Sequence, residues 1–274
     1  IGGIDPLYIT VVGTGYVGLI TGVCLAKLGN QVTCYDIDEV KVRKLANGDV
    51  TIYEDGLEEL LTNVLEKGLI TFTANPMEAY VNADLIFLAV GTPENKDGSS
   101  NLTFIEKATD EIALYMKDSA TIVIKSTVPV GTNEKVQLRV SSKTEKRFNM
   151  ASNPEFLREG SAIHDFFYGD RIIIGTENEC TKKKLVNLYS SINIPVLHTD
   201  IRSAEMIKYA SNTFLATKIS FINEIANLCE KVGANIDSVS KGIGLDRRIG
   251  PHFLQPGIGY GGSCFPKDTK ALVQ

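Results

Sequence analysis

The sequence predicts an α/β fold, with a doubly wound parallel sheet followed by a long central helix and a small helical domain. Short β-branched runs alternate with helical patterns over the first two hundred residues, and such alternation places a parallel sheet between layers of helices. Residues 202–232 then contain neither Gly nor Pro and are followed by Gly233, as expected for one long helix with a glycine C-cap. We therefore expect one domain over residues 1–200 and a helical domain over residues 201–274.

The individual elements follow from the positions of these runs. Strands are predicted at 8–12, 31–36, 85–90, 121–125, 148–151, 172–175 and 195–197, and helices at 16–28, 38–46 and 181–191. Within the long helix, positions 208, 212, 215, 219, 222, 226 and 229 form one stripe that is polar only at its start. We interpret this stripe as core packing. Because long apolar helices also form subunit interfaces, we expect a homodimer through this helix, with Ile222 as the position to test.

Composition and charge narrow the class of protein. The 274 residues carry a formal net charge of -5, which argues against nucleic acid as the main partner. The longest apolar stretches, such as residues 85–90, are far too short to cross a bilayer. The first residues lack the pattern of a signal peptide and read as a trimmed start. We therefore expect a cytoplasmic protein that works without a membrane.

The cysteines predict neither a zinc site nor a disulfide framework, because the sequence contains no CxxC and no close pair. We expect no metal. Four of them occur in apolar strand or helix patterns and are predicted to be small buried side chains: Cys24, Cys34, Cys180 and Cys229. Cys264 is different, because it occurs in a glycine-rich segment.

A glycine-rich turn follows the first strand directly and opens the first helix. It reads Gly13-Thr-Gly15-Tyr-Val-Gly18, and Asp36 closes the second strand 18 residues after Gly18. In this context the three glycines permit the tight turn, the approach of a pyrophosphate to the helix N-terminus and close helix packing. Asp36 would accept hydrogen bonds from the adenosine ribose and repel a 2′-phosphate. The first domain is therefore predicted to be Rossmann-like and to bind NAD rather than NADP, with FAD as the other candidate.

A second glycine-rich segment, residues 253–268, reads FLQPGIGYGGSCFPKD and leads into a predicted helix. Cys264 would stand near the start of this helix with Lys267 close by, and both features stabilise a thiolate. Asp268 lies one turn further on the same face. The residues alone leave a nucleophilic and a structural role for Cys264 equally open.

This segment closely resembles the active-site loop of the UDP-glucose/GDP-mannose dehydrogenase family, and in its YGGSCFPKD wording the UDP-glucose enzymes in particular. Four other segments resemble the family in the same order: 90–93 (VGTP), 125–129 (KSTVP), 153–160 (NPEFLREG) and 208–212 (KYASN). The match spans nearly the whole chain. It implies a four-electron oxidation of UDP-glucose to UDP-glucuronate with two equivalents of NAD per turnover.

The resemblance also implies the catalytic residues: Cys264, Lys208, Asn212, Asp268, Glu155 and Thr127. Cys264 would trap the aldehyde as a thiohemiacetal and then carry a thioester. Lys208 and Asn212 would stabilise the oxyanion. Asp268 and a water held by Thr127 would relay protons, and Glu155 would act in thioester hydrolysis.

Two further sets of residues are implied by the resemblance. The NAD contacts are Gly13, Gly15, Tyr16, Val17, Gly18, Asp36, Lys41, Thr92, Pro93, Ser126 and Glu159. The nucleotide-sugar contacts are Phe156, Leu157, Lys208, Arg248, Phe253, Gly257, Gly259, Tyr260, Gly261 and Lys267. Among these, Arg248 resembles an arginine that reaches the substrate of the partner subunit, which requires a dimer.

Other functions remain as alternatives. A GDP-mannose or other nucleotide-sugar dehydrogenase would share this framework, although UDP-N-acetylmannosamine enzymes usually carry His before the Cys. An aldehyde dehydrogenase would not need the Lys208 and Asn212 pair, and a non-catalytic NAD-sensing module would need only the first half of the chain. None of the ten Tyr residues has a Lys four positions later, which excludes the short-chain dehydrogenase dyad. The family pattern continues into a third, uridine-binding domain, which we expect to be absent from a chain that stops at Gln274.

Overall fold

A computed structural model describes residues 6–262 and 264–273, and of Cys264 it describes the backbone alone. The described strands are β1 (Tyr8–Val12), β2 (Gln31–Tyr35), β3 (Ile70–Thr73), β4 (Leu85–Leu88), β5 (Ala120–Ile124), β6 (Phe148–Ser152), β7 (Ile172–Gly175) and β8 (Val196–Thr199). The described helices are α1 (Tyr16–Lys27), α2 (Glu39–Ala46), α3 (Leu57–Glu66), α4 (Pro76–Tyr80), α5 (Thr103–Tyr115), α6 (Thr132–Ser141), α7 (Ala162–Tyr168), α8 (Glu179–Leu188), α9 (Ile201–Val232), α10 (Ile236–Gly244) and α11 (Cys264–Val273).

The strands of the described residues form one sheet in the order β3-β2-β1-β4-β5-β6-β7-β8. The order reverses between β1 and β4, which is where open α/β sheets bind ligands outside the carboxyl ends of their strands. The sheet confirms the predicted Rossmann-like fold. It differs in two respects: β3 was not predicted as a strand, and β6 and β7 pair antiparallel through Ser152 and Gly175. The connection of residues 153–171 stays at the carboxyl end of β6, so β7 begins at that end.

The core lies on both faces of the sheet. Side chains alternate along β4, so Leu85 and Phe87 join the cluster beneath α1 and α3, whereas Ile86 and Leu88 join the cluster beneath α5 and α6. All four residues of β4 and all five of β5 are buried. Strands covered on both faces require continuous apolar sequence, which explains why these runs were recognisable.

One cysteine was assigned wrongly from the sequence. Cys24, Cys34 and Cys229 are buried, as predicted, but Cys180 is exposed. Cys180 occupies the first turn of α8, where Thr181, Leu185 and Leu188 face the core. The helical period then directs residue 180 towards solvent.

The chain divides into two compact units. The first comprises residues 1–93 and 101–206, and the second comprises residues 94–100 and 207–274. In the second unit, the excursion 94–100 joins the helices through the Glu94–Lys270 ion pair at 2.8 Å and the hydroxyl contact between Ser100 and Tyr209 at 3.3 Å. Ser240 donates a hydrogen bond to the carbonyl of Leu254.

The long helix α9 confirms the predicted segment nearly to the residue. Ile222 has no exposed surface within its own chain, so the expectation that it tests an interface was wrong. The exposed apolar side chains of α9 in the second unit lie at a different set of positions: Phe214, Phe221, Leu228 and Val232. No helix among residues 6–262 and 264–273 has the length and apolar character needed to cross a membrane.

Candidate active site

The dinucleotide turn has the geometry that its three glycines predict. Gly13 adopts a φ of +92°, which L-residues rarely adopt and glycine adopts readily. A Cβ at Gly18 would stand 1.8 Å from the carbonyl oxygen of Gly13, so only glycine fits there. A Cβ at Gly15 would meet nothing within 4 Å. The turn is therefore closed on the helix side and open at Gly15, as the approach of a pyrophosphate requires.

Asp36 stands at the carboxyl end of β2 beside this turn. Its carboxylate accepts hydrogen bonds from the Thr14 backbone N–H at 2.8 Å and the Thr14 hydroxyl at 2.6 Å. The Asp38 N–H donates at 3.1 Å, and the Lys41 ammonium lies 3.4 Å away. Burial alone would raise the pKa of Asp36, but the Thr14 and Asp38 donors and Lys41 together hold it below its ordinary value. Asp36 is therefore an anion at neutral pH, next to the cofactor turn.

The two segments that follow β4 and β5 are tied to each other. The Thr92 hydroxyl donates to the carbonyl of Thr127 at 2.9 Å. The Ser126 hydroxyl donates to the carbonyl of Val90 at 2.6 Å. These bonds hold the predicted cofactor residues Thr92, Pro93 and Ser126 and the predicted catalytic Thr127 in one surface at the carboxyl ends of adjacent strands.

The Glu155 segment is fixed from its start. Asn153 is buried, and its side chain accepts from the Tyr189 hydroxyl at 2.7 Å and donates to the carbonyl of Ile173 at 2.8 Å. The buried Lys125 ammonium lies 3.3 Å from the same Asn153 oxygen. A side chain with this many partners has one conformation, which holds the backbone that precedes Glu155 in place.

Glu155 itself is buried, and its carboxylate accepts from the Leu157 N–H at 2.6 Å. The ring of Phe156 lies beneath the guanidinium of Arg171, with 4.0 Å between the guanidinium carbon and the ring centroid. Phe156 and Leu157 are half-buried, whereas Glu159 is exposed. The predicted acid or base and the predicted substrate contacts therefore share one short, ordered loop.

The second unit buries a cluster of polar side chains on α9 and α11. Lys208 and Asn212 are one helical turn apart on α9, and both are buried. The Asn212 amide donates to Asp268 at 2.7 Å, and the Lys267 ammonium donates to the other Asp268 oxygen at 2.5 Å. Asp268 is 1% exposed. Burying charges on this scale costs stability, which marks the cluster as a candidate functional site.

The glycine-rich segment before α11 is open. The Gly257 N–H donates to Asn223 at 2.9 Å, and the ring centroid of Tyr260 lies 6.0 Å from that of Phe265. The remaining predicted substrate residues of this segment, Phe253, Gly259 and Gly261, are exposed. A surface loop built in this way leaves its backbone groups accessible to a ligand.

Two predicted residues do not join a cluster. The Arg248 side chain is 89% exposed and pairs with Asp246 of its own chain at 2.7 Å. The side chain of Cys264 lies outside the described residues, and its role stays a prediction. No cluster of His, Cys, Asp or Glu that could hold a metal ion occurs within the part of the chain that the structure describes.

Several residues that support the site were not predicted. Asn153, Arg171 and Asn223 hold predicted residues in place, and Glu54 binds Tyr16. Asn153 lay within a recognised segment, so proximity could have suggested it. Glu54 and Arg171 are distant in sequence from their partners, and no pattern in the sequence indicates those contacts.

Comparison with known proteins places these features in a family. Residues 7–193 match the family model of the NAD binding domain of the UDP-glucose/GDP-mannose dehydrogenase family, and residues 202–274 match that of its central domain. The UDP-glucose 6-dehydrogenase YwqF of Bacillus subtilis is 55% identical over 268 residues, which cover 97% of this chain and 61% of that protein. The UDP-glucose 6-dehydrogenase of Rhizobium meliloti is 47% identical, over 97% of this chain and 62% of its own length.

Solved structures agree. A UDP-glucose dehydrogenase from Pyrobaculum islandicum superposes with a TM-score of 0.96 at 43% identity, covering 98% of this chain and 63% of that chain. A GDP-mannose dehydrogenase from Pseudomonas aeruginosa gives a TM-score of 0.85 at 33% identity, over 97% of this chain and 63% of its own. The chain thus spans about 60% of the length of the curated relatives it matches. The chain belongs to the UDP-glucose/GDP-mannose dehydrogenase family.

Proposed function

We propose that the protein containing this chain is a UDP-glucose 6-dehydrogenase, which oxidises UDP-glucose to UDP-glucuronate with two equivalents of NAD. The observation that carries the proposal is the cluster of the buried Lys208, Asn212 and Asp268, with Lys267 paired to Asp268. A module that only senses NAD has no use for these charges in its second unit. The name of the relative YwqF, a UDP-glucose 6-dehydrogenase, supplies the substrate.

The cofactor site fits NAD. The open face at Gly15 suits a pyrophosphate, and Asp36 has the charge to bind a ribose diol and to repel a 2′-phosphate. When bound, NAD would supply the hydride acceptor for each of two successive oxidations. The residues of the chain must then bind the sugar, move protons and hold the aldehyde between the two oxidations.

Cys264 is the residue we assign to holding the aldehyde. Its thiolate adds to the aldehyde carbon, and the thiohemiacetal that forms is oxidised to a thioester. Water then cleaves the thioester, which releases the carboxylate and returns the thiol. Cys264 is the first residue of α11, and a helix N-terminus stabilises a thiolate.

Lys208 and Asn212 are assigned to the oxyanion of these tetrahedral intermediates. Both are hydrogen-bond donors on the same face of α9, and both are buried, so their N–H groups act on a nearby negative charge with little screening by water. Asp268 holds the Asn212 amide through a hydrogen bond of 2.7 Å and thereby fixes its orientation. Asp268 and a water on Thr127 relay protons, and Glu155 activates water for thioester hydrolysis.

We also propose that the chain forms a homodimer through the exposed face of α9. Phe214, Phe221 and Leu228 recur every seven residues, so they form one exposed apolar stripe along the helix. Such a stripe suits a second copy of the same helix packed against it. Arg248, exposed on the surface, is then available to the substrate of the partner.

The experiment uses a chimaera in which this sequence replaces the matching segment of the Bacillus subtilis relative YwqF. NADH formation is followed with UDP-glucose, GDP-mannose and a simple aldehyde, and products are identified by mass spectrometry. We expect two NADH and one UDP-glucuronate per UDP-glucose. A preference for GDP-mannose would assign the other substrate of the family, and oxidation of the simple aldehyde alone would contradict the proposal.

A matched pair of lysine variants tests the oxyanion assignment in the same chimaera. Lys208→Met should lower kcat by at least about a hundredfold, the loss typical of removing one oxyanion donor. Lys231→Met changes an exposed lysine near the end of the same helix and should leave kcat unchanged. Equal rates for the two variants would exclude Lys208 from the chemistry.

A further inference from the structure

Glu54 is a buried carboxylate that none of the predicted catalytic roles uses. Its carboxylate accepts hydrogen bonds from the hydroxyl of Tyr16, from the backbone N–H of Gly160 at 2.9 Å and from that of Ile163 at 3.4 Å. The residue is 7% exposed, and among the described residues it forms no ion pair. A buried carboxylate held by hydrogen bonds depends on each of its donors, so its partners are held in one arrangement.

The partners of Glu54 belong to the two segments on which the proposed chemistry depends. Tyr16 lies within the dinucleotide turn and is the first residue of α1. Gly160 ends the Glu155 segment, where it adopts a φ of +86°, and its N–H also lies 2.9 Å from the Tyr16 hydroxyl. Glu54 is 38 residues from Tyr16 and 106 residues from Gly160 in the chain. It therefore joins two segments whose contacting residues are 144 positions apart.

The Tyr16 phenol has the protonation state that this junction needs. Burial, the hydrogen bond to Glu54 and the nearby carboxylates of Glu54 and Glu159 all raise the pKa of Tyr16. The phenol therefore remains a donor to Glu54 throughout the physiological pH range. Its ring is half-buried at the start of α1, so fixing the hydroxyl also fixes the side chain next to the open face of Gly15.

We propose that Glu54 is a positioning residue for the cofactor, acting through Tyr16 and Gly160. It holds the dinucleotide turn and the loop that carries Glu159 in a single arrangement before NAD binds. The binding of NAD then need not order these two segments, and preorganisation of this kind raises affinity. The inference rests on the proposed function only in naming NAD as the ligand.

Glu54→Gln is the informative substitution, because it preserves size. One Glu54 oxygen accepts from Tyr16 and Gly160, and the other accepts from Ile163. Glutamine retains one acceptor oxygen and directs an NH₂ group at the remaining donor, and it removes the charge. Tyr16→Phe deletes the hydroxyl and leaves Glu54 intact. Glu58→Gln is the matched control, since it neutralises an exposed carboxylate four residues further along.

The test is a titration of this chain with NADH, followed by nicotinamide fluorescence, which no Trp obscures because the chain has none. Glu54→Gln and Tyr16→Phe should each weaken binding about tenfold, the loss expected for one charge-assisted hydrogen bond. The double variant should bind NADH no more weakly than the weaker-binding single variant does, because both substitutions act through one contact. Glu58→Gln should bind as the wild type does.

Hydrogen exchange of the unliganded chain supplies a readout that does not need NADH. The amides of Gly160 and Ile163 should exchange faster in Glu54→Gln than in the wild type or in Glu58→Gln, with global unfolding monitored by a thermal melt. Unchanged exchange at these amides, or multiplying losses of affinity in the double variant, would overturn the positioning role. A wild-type chain that shows this protection but fails to bind NADH would instead contradict the proposed function.

Discussion

Replacing Asp36 by Asn should change both the affinity for NAD and the discrimination against NADP. The Asp36 carboxylate accepts from the Thr14 N–H and hydroxyl, and Lys41 lies 3.4 Å away. Asparagine keeps the shape of the side chain but has one acceptor oxygen and no charge. Hydrogen bonds to a charged acceptor are worth about 1.5–3 kcal/mol each, so losing one to the ribose should weaken NAD binding roughly tenfold to a hundredfold.

The same charge determines the response to NADP. Two unit charges about 4 Å apart at a protein surface repel by about 4 kcal/mol, so the wild-type chain should prefer NAD by at least about a hundredfold. In Asp36→Asn this preference should fall to within about tenfold.

The assay is a parallel titration with NADH and NADPH by nicotinamide fluorescence, with Asp49→Asn as the control at an exposed position of the same region. Equal affinities of the wild-type chain for the two cofactors would refute the reasoning about Asp36. An unchanged preference in Asp36→Asn would refute it as well.

Three further predictions concern stability, assembly and pH. Glu205 is buried and accepts hydrogen bonds from the Gly131 and Asn133 backbone amides at 2.7 and 2.9 Å at the start of α6. Glu205→Ala should therefore lower the free energy of unfolding by about 3 kcal/mol. A loss below about 1 kcal/mol in urea denaturation would contradict this role. Phe221→Asp should yield monomers in sedimentation equilibrium with an unchanged circular dichroism spectrum, whereas a wild-type chain that is monomeric at micromolar concentration would exclude the interface. The pKa of Asp36 is lowered in the folded chain, so its contribution to stability is present above the unfolded pKa and is lost as pH falls through the folded pKa. Asp36→Asn should therefore flatten the acid side of the plot of unfolding free energy against pH. Parallel plots for the wild type and the variant would contradict this.

The strands β1, β4 and β5 were predictable because their signals are local. β4 and β5 are buried along their whole length and β1 over four of its five residues, so each leaves a run of apolar and β-branched residues in the sequence. The dinucleotide turn was equally clear, since the positive φ of Gly13 and the contact at Gly18 admit only glycine. Such constraints act on single residues and their immediate neighbours, where a sequence pattern can record them.

The features that were missed depend on contacts between distant segments. β3 has one buried residue among four, so its apolar signal was too weak to predict a strand. The direction of β7 is set by the connection 153–171, and its own residues would suit either direction. The stripe on α9 was correctly interpreted as core packing, but the choice of Ile222 to test an interface was wrong, because Ile222 is buried in its own chain whereas Phe221 is exposed.

The candidate site divides in the same way. Resemblance identified Asp268 and Asn212, and the structure brings their side chains to 2.7 Å. Resemblance could not identify Glu54, because the role proposed for Glu54 follows from its three hydrogen-bond donors and not from its neighbours in sequence. Positioning residues are recognised by their partners, and partners appear only in three dimensions.

The central claim is that Cys264 carries the second oxidation, and it is tested most directly by Cys264→Ala in the Bacillus subtilis chimaera. The product is measured by mass spectrometry after incubation with UDP-glucose and NAD, and the reverse step is measured with the UDP-sugar aldehyde and NADH. We predict no UDP-glucuronate from Cys264→Ala and a retained capacity for the alcohol–aldehyde step, because only the thioester route requires a sulfur nucleophile. Formation of UDP-glucuronate by Cys264→Ala at a rate near that of the unmodified chimaera would contradict the account.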